Sequence, residues 1–132
     1  MPEELPSRAI VTDALVALTI DSWRFAKSFA RLVSKVDVSE SVRYESQYRY
    51  YMKRLAESLS AAGLRVVNVE GHAYDPGSAV TPLNLSDFDA DDLLVVEQMI
   101  EPIIMGPDAL VRQGTVMLRK AYQIQATSGS CA

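Results

Sequence analysis

The stretch that decides the fold is SRAIVTDALVALTIDSWRFAKSFARLVSK, residues 7–35. It contains neither glycine nor proline, and its apolar residues recur at alternating intervals of four and three. That alternation is the heptad spacing of a helix that packs along a seam against other helices. The seam, which includes one serine, consists of Val11, Leu15, Leu18, Ser22, Phe25, Phe29, Leu32 and Val36.

A second apolar face lies on roughly the opposite side of the same predicted helix. Its members are Val16, Ile20, Trp23, Ala26 and Ala30. A surface helix usually has one apolar face, whereas a helix inside a bundle has more. The two faces therefore predict that this helix contacts more than one neighbour.

A second helix is predicted after a short connection. Asp37 with Glu40 three residues later has the pattern of a capping box, and Gly63 is typical of the residue just beyond a helix end. Because the connection is short, we expect the two helices to form an antiparallel hairpin. The seam of the second helix consists of Tyr44, Tyr48, Tyr51, Met52, Leu55, Leu59 and Ala62.

Two helices alone cannot enclose a core, but two hairpins can form a four-helix bundle. We therefore predict a homodimer in which residues 1–62 are the helical dimerisation region. The predicted dimer interface consists of Leu18, Phe25, Phe29, Leu32, Tyr48, Met52, Leu55 and Leu59.

After the helices the sequence changes to short runs of strand-forming residues separated by turn signals. The predicted strands lie near residues 64–69, 79–83, 93–105 and 110–122. The stretch from residue 92 to 100 fits a helix as the alternative. We predict an α+β fold in which a small antiparallel β domain, residues 63–123, follows the helical hairpin and precedes a disordered tail, residues 124–132.

The composition excludes several classes of function. The chain has one histidine, His72, and one cysteine, Cys131, so it cannot build a zinc site from several such residues. It also has no glycine-rich phosphate-binding motif and no nucleophile motif. We therefore expect no enzyme activity, no catalytic residues, no cofactor and no metal site.

The charge and hydropathy patterns bear on location and partners. The net charge is −4 among 132 residues, which disfavours nucleic-acid and membrane-surface partners. No apolar run approaches the ~20 residues that a membrane span requires. The N-terminus is acidic and contains proline, unlike a secretory signal. We expect a cytoplasmic protein.

The acidic loop, residues 84–92, matches only part of the ligand spacing of a calcium-binding loop. Asp87, Asp89 and Asp91 stand like the first ligands of a calcium-binding loop. Such a loop also requires a glycine at its sixth position and a glutamate at its twelfth, where this chain has Asp92 and Gln98. We therefore interpret the loop as solvated, or as a cap whose carboxylates favour the start of the following segment.

The second helix leaves one alternative open. Basic residues are interleaved with tyrosines there, a combination that can bind nucleic acid through phosphate contacts and stacking. The basic residues are Arg43, Arg49, Lys53 and Arg54. Tyr44, Tyr48 and Tyr51 share one helical face, however, which favours burial at a helix interface. A nucleic-acid-binding dimer remains an alternative.

Four short phrases follow one another in a characteristic order. A helical segment ends in AAGLRVV (61–67), a turn contains GHAYDP (71–76), a strand opens with AV (79–80), and the last hairpin strand is LVRQGTVMLRK (110–120). In this order the chain resembles the GrpE family, the nucleotide exchange factors of DnaK-type ATPases. We expect a divergent, short form of the family without its long N-terminal stalk helix.

The resemblance implies a co-chaperone that binds a DnaK-type ATPase and promotes release of ADP. By position, it implies a partner-binding site made of Asp75, Pro76, Ala79, Val80 and Arg112. Where the family has His-Glu after Asp-Pro, this chain has Gly77-Ser78. This difference suggests a dedicated DnaK-like partner and leaves open an adaptor without exchange activity.

Overall fold

The structure of the protein is a computed structural model that describes residues 5–121. These residues fall into two compact units, a helical unit that ends at Ala61 and a β unit that begins at Ala62. Two helices are followed by two small sheets, so the predicted α+β class is confirmed. The predicted tail, residues 124–132, lies outside the described residues.

The first helix, α1, spans Arg8–Val33. It begins where the Ser7 hydroxyl accepts a hydrogen bond from the Ile10 amide at 3.2 Å, which satisfies one of the N–H groups that a helix start leaves without a partner. It ends at Ser34, whose amide still donates to the carbonyl of Ala30 at 3.1 Å. The absence of glycine and proline from the stretch allows 26 uninterrupted helical residues.

The second helix, α2, spans Val38–Ala61. The Asp37 carbonyl accepts the amides of Glu40 and Ser41 at 3.0 and 2.8 Å, which places Asp37 at the start of the helix as the sequence predicted. Gly63 follows the end of α2 with a φ of +77°, a left-handed conformation that glycine adopts without steric cost. The helix boundaries therefore follow from local signals.

The two apolar faces of α1 have different surroundings. The face predicted to lie opposite the heptad seam is the buried one, and Trp23 on it is only 2% exposed. Thr19 on the same side is also buried, and its hydroxyl donates to the Leu15 carbonyl. In the heptad seam every second member is exposed; these residues are Val11, Leu18, Phe25 and Leu32.

An aromatic contact joins the two helices of the hairpin. Phe29 of α1 and Tyr44 of α2 meet edge to face, with ring centroids 6.2 Å apart. This geometry is the one that aromatic quadrupoles favour. The half-buried seam residues Phe29 and Tyr44 therefore contribute to packing within one chain.

The β unit is built from short strands. Within residues 5–121 these are β1 (Arg65–Val67), β2 (Val80–Pro82), β3 (Leu94–Glu101), β4 (Ile103–Met105), β5 (Leu110–Arg112) and β6 (Gly114–Lys120). One sheet has the order β1-β4-β5 and is antiparallel. The other has the order β2-β6-β3, and in it β2 runs parallel to β6.

The predicted all-antiparallel β domain is therefore correct for one sheet only. The second sheet is mixed, because β2 reaches β6 through a connection and not through a hairpin turn. The strand that was weighed against a helix is a strand, β3. β2 contains Pro82 and lies at a sheet edge, where proline is tolerated because no neighbouring strand needs its missing amide hydrogen.

A single long hairpin carries the chain through both sheets. Its first arm is divided at Pro102, which has no amide hydrogen for the ladder and separates β3 from β4. Its second arm is divided at Gln113, between β5 and β6. The sequence predicted one continuous strand over residues 110–122, because the alternation of residue types continues through the break.

Gly114 permits the two arms to approach closely at this division. A β-carbon built on it would lie 2.8 Å from Met99 Cε and 3.0 Å from both the Glu101 carbonyl oxygen and Ile103 Cγ1. A side chain at this position would displace these neighbours, so the bend requires glycine. The core beside it is fully buried and contains Met99, Ile104, Val116 and Leu118.

Residues 71–74 cover the other side of β3. The Gly71 amide donates to the Val96 carbonyl at 2.8 Å, and the Val96 amide donates to the His72 carbonyl at 2.9 Å. The Tyr74 amide donates to the Leu94 carbonyl at 2.8 Å. The segment before the Asp-Pro turn is thus held by backbone hydrogen bonds.

Candidate partner-binding site

Arg112 ends the edge strand β5, and its side chain is 50% exposed. Its Nη2 donates to Glu101 Oε1 at 3.2 Å. Glu101 is only 18% exposed and also accepts a bond from the Thr115 hydroxyl at 3.4 Å. Because the Glu101 carboxylate is itself held by Thr115, it fixes the orientation of the Arg112 guanidinium. Half of the Arg112 side chain remains exposed to solvent.

Glu101 is a residue that sequence reasoning missed. It ends β3, eleven residues before Arg112, and it reaches Arg112 only because the hairpin changes sheets between them. No local signal pairs the two residues, because Glu101 stands opposite Thr115 in one sheet and Arg112 stands opposite Ile104 in the other. The position of Glu101 depends on the strand register, which the sequence did not specify.

Ala79 and Val80 lie beside the same division of the hairpin. The Ala79 carbonyl accepts the Gly114 amide at 2.9 Å, and Val80 stands opposite Gly114 in the parallel pairing of β2 and β6. Val80 is buried and Ala79 is half-buried. Their role within the chain is to anchor β2.

The next residue along β2 is exposed and polar. Thr81 donates its hydroxyl to Gln113 Oε1 at 3.1 Å. Gln113 follows Arg112 directly, so the start of β2 and the end of β5 meet at one place. Together Thr81, Arg112, Gln113 and the adjacent exposed Leu110 and Val111 form a surface that we call the junction surface.

Asp75 and Pro76 form a separate turn. Asp75 Oδ1 accepts the Gly77 amide at 2.9 Å, and the Asp75 carbonyl accepts the Ser78 amide at 2.9 Å. The Asp75 side chain thereby closes a turn of the kind that Asp favours. Among residues 5–121, no hydrogen bond or ion pair joins Asp75 or Pro76 to Arg112. The structure therefore brings three of the five predicted partner-binding residues, Ala79, Val80 and Arg112, to the junction.

The predicted dimer residues divide by exposure. Those on α1 are mostly open, with Leu18 62% exposed and Phe25 73% exposed, and Leu32 is as open as Leu18. Phe29 is half-buried, and Leu59 on α2 is buried. The remaining predicted residues are half-buried; these are Tyr48, Met52 and Leu55.

An apolar groove runs between the two helices of the hairpin. Its volume is about 650 Å³, and aromatic side chains supply most of its lining. The aromatic lining residues are Phe25, Phe29, Tyr48, Tyr50 and Tyr51. The groove thus adjoins the exposed residues of α1 and extends the apolar surface across to α2.

The acidic loop stabilises the β unit and forms no metal site in the described chain. Asp92 Oδ2 accepts the Asp89 amide at 2.9 Å and lies 3.8 Å from the Lys120 ammonium. Asn84 exchanges hydrogen bonds with the backbone amide and carbonyl of Leu118, each 2.9 Å long. Residues 5–121 contain no group of three side chains that could hold a metal ion.

The basic residues of α2, on which the nucleic-acid alternative rests, lie on the surface of the helical unit. Of these, Arg43 lies over the Tyr44 ring, 5.3 Å from its centroid. Arg54 is 3.8 Å from Glu57. Neither α1 nor α2 has the length and apolar character needed to span a membrane.

Comparisons of this chain with protein-family models, with curated proteins and with solved structures find no match.

Proposed function

We propose that this chain is a homodimeric, GrpE-like co-chaperone whose junction surface binds a DnaK-type ATPase and promotes release of ADP. The observation that carries the proposal is the half-exposed Arg112, directed by Glu101 at the end of an edge strand. Two exposed apolar side chains precede it on β5, Leu110 and Val111. An oriented arginine next to apolar surface is the composition that protein–protein interfaces favour.

The mechanism is a shift in a conformational equilibrium. A DnaK-type ATPase holds ADP between two lobes. A partner that binds the open form better than the closed form shifts the population of ATPase molecules toward the open form. Changing the ratio of open to closed molecules from 1:99 to 99:1 requires that the partner bind the open form more tightly by about 5.5 kcal/mol. A β unit with a fully buried core can press on one lobe without deforming, which this mechanism requires. We assign its action to the cytoplasm.

The test is the rate at which a DnaK-type ATPase releases a fluorescent ADP analogue. Each such ATPase of the same genome is assayed with and without this chain, and acceleration with one of them supports the proposal. Arg112→Ala is expected to reduce the acceleration at least tenfold. The matched control is Arg65→Ala, because Arg65 is exposed on β1 at the opposite edge of the same sheet.

Two outcomes would redirect the proposal. Binding without acceleration would favour an adaptor that holds the ATPase in place. Binding of nucleic acid that weakens steeply with added salt would favour the alternative that uses the exposed Arg and Lys residues of α2. Neither binding nor acceleration with any of these ATPases would reject the proposed partner.

A further inference from the structure

The exposed residues of α1 form a regular stripe. Val11, Leu18, Phe25 and Leu32 are each seven residues apart, and each is more than half exposed. At 1.5 Å of rise per residue, they mark a line of about 32 Å along one side of the helix. We call this line the heptad stripe. A regular row of large exposed apolar side chains is a feature that marks interaction sites.

The regularity of the heptad stripe points to a helical occupant. Side chains repeated every seven residues match a neighbouring helix with the same repeat, because both helices then present knobs at equal intervals. Among residues 5–121, only α1 carries such a stripe of exposed apolar residues. A second copy of α1 therefore fits the stripe of the first.

The charges of α1 favour one orientation of the two copies. Residues 8–21 contain Arg8, Asp13 and Asp21, a net charge of −1. Residues 22–33 contain three basic residues and no acidic one, a net charge of +3; these are Arg24, Lys27 and Arg31. A parallel pair would set the two basic halves side by side. An antiparallel pair sets each basic half beside an acidic one, which is electrostatically favourable.

We propose that two copies of this chain pair through their α1 helices in antiparallel orientation, with Leu18 of one copy against Phe25 of the other. This inference rests on the homodimer of the proposed function and specifies its contact. The same register sets Val11 against Leu32, so all residues of the heptad stripe are used. The two-fold axis then passes between Asp21 and Ser22, and Asp21 lies near Arg24 of the second copy.

In this antiparallel dimer, the groove between α1 and α2 receives a side chain of the second copy. Phe25 and Phe29 line one wall of the groove, and Tyr48 and Tyr51 belong to its lining from α2. In the antiparallel register, Leu18 of the second copy stands opposite Phe25. Its side chain is the knob that enters the aromatic groove. The contact thus extends from α1 to α2 and completes a four-helix bundle.

The test is disulfide cross-linking in a Cys131→Ser background, which removes the only native thiol. Leu18→Cys and Phe25→Cys chains of different tag length are mixed and oxidised. A disulfide requires α-carbons within about 7 Å, so it reports direct opposition. We expect the mixed dimer between the two variants to exceed either self-linked dimer at least fivefold. Glu57→Cys, exposed on α2, is the matched control and should give only background cross-linking.

Each other outcome overturns the proposal. Self-linked Phe25→Cys dimers in excess would show parallel pairing. Sedimentation of a dimer without either cross-link would place the contact elsewhere, and a monomer at all concentrations would reject the dimer itself. Added sodium chloride provides a second readout, because it should weaken an antiparallel dimer and strengthen a parallel one. The ADP-release assay is scored separately on the ATPase, so failure of the proposed partner is distinguishable from failure of this pairing.

Discussion

The helical unit and the β unit differ in how completely each buries its apolar side chains. In the β unit, Met99, Ile104 and Val116 have no exposed surface at all. In the helical unit, Phe25 and Leu18 are mostly exposed although they follow a strict repeat. The β unit therefore has a core that is complete within one chain, whereas the helical unit leaves an apolar face exposed, the face that we propose a second copy covers.

The largest effect is expected in the β core. Ile104→Ala removes methyl groups from a side chain with no exposed surface, and it should lower the free energy of unfolding of the β unit by about 2–5 kcal/mol. Hydrogen exchange at the β6 amides measures this loss. Leu110→Ala, at an exposed position of the same sheet, is the control and should change exchange little. Equal increases in hydrogen exchange from the two variants would contradict a β unit whose core is complete within one chain.

The next effect concerns association. Phe25→Glu places a charge in the heptad stripe, where burial between two helices would remove it from water. We expect dimerisation to weaken by about 2 kcal/mol or more, roughly thirtyfold in dissociation constant. Sedimentation over a concentration series measures it, with circular dichroism to check that the helices persist. Phe29→Asp, at a half-buried seam position, is expected to weaken the dimer as well.

The matched control for the stripe is Val42→Glu. Val42 is exposed on α2 and lies outside the heptad stripe, so the same apolar-to-acidic change should leave the dimer unchanged. If Val42→Glu dissociates the dimer and Phe25→Glu does not, the apolar face that mediates dimerisation belongs to α2.

A smaller effect is expected at the bend of the hairpin. Gly114→Ala forces a methyl group to within 2.8–3.0 Å of its neighbours, of which the Glu101 carbonyl belongs to the backbone and cannot rotate away. The strain should cost about 1–3 kcal/mol of unfolding free energy. Thermal unfolding followed by circular dichroism in the strand region measures it. Gly77→Ala is the control, because its nearest neighbour would be 3.5 Å away, an ordinary contact.

The bounds of the two helices could be predicted from the sequence. The Ser7 cap, the Asp37 start and Gly63 after the end are local signals, and each acts within about one helical turn. The exposure of Leu18 and Phe25 could not be predicted, because the sequence presents two apolar faces and does not say which of them the chain itself covers.

The β unit could be predicted only in outline. Strand formers identified β3 and β6, but the division at Gln113 falls inside an unbroken alternation of residue types. The parallel pairing of β2 with β6 and the bond from Arg112 to Glu101 depend on residues far apart in sequence. Non-local register is not specified by local patterns, so Arg112 could be singled out while the carboxylate that directs it could not.

The smallest expected effect on stability is at Arg112. Its ion pair with Glu101 is half exposed, and such pairs contribute roughly 0–1 kcal/mol, so Arg112→Ala should leave the melting temperature nearly unchanged. Glu101→Gln should also preserve the fold, since the amide oxygen still accepts the Thr115 hydroxyl. If both variants melt like the wild type and both bind the ATPase more weakly, Glu101 acts by directing Arg112. Loss of fold in Arg112→Ala, seen by circular dichroism, would instead make the arginine a structural residue of the β unit.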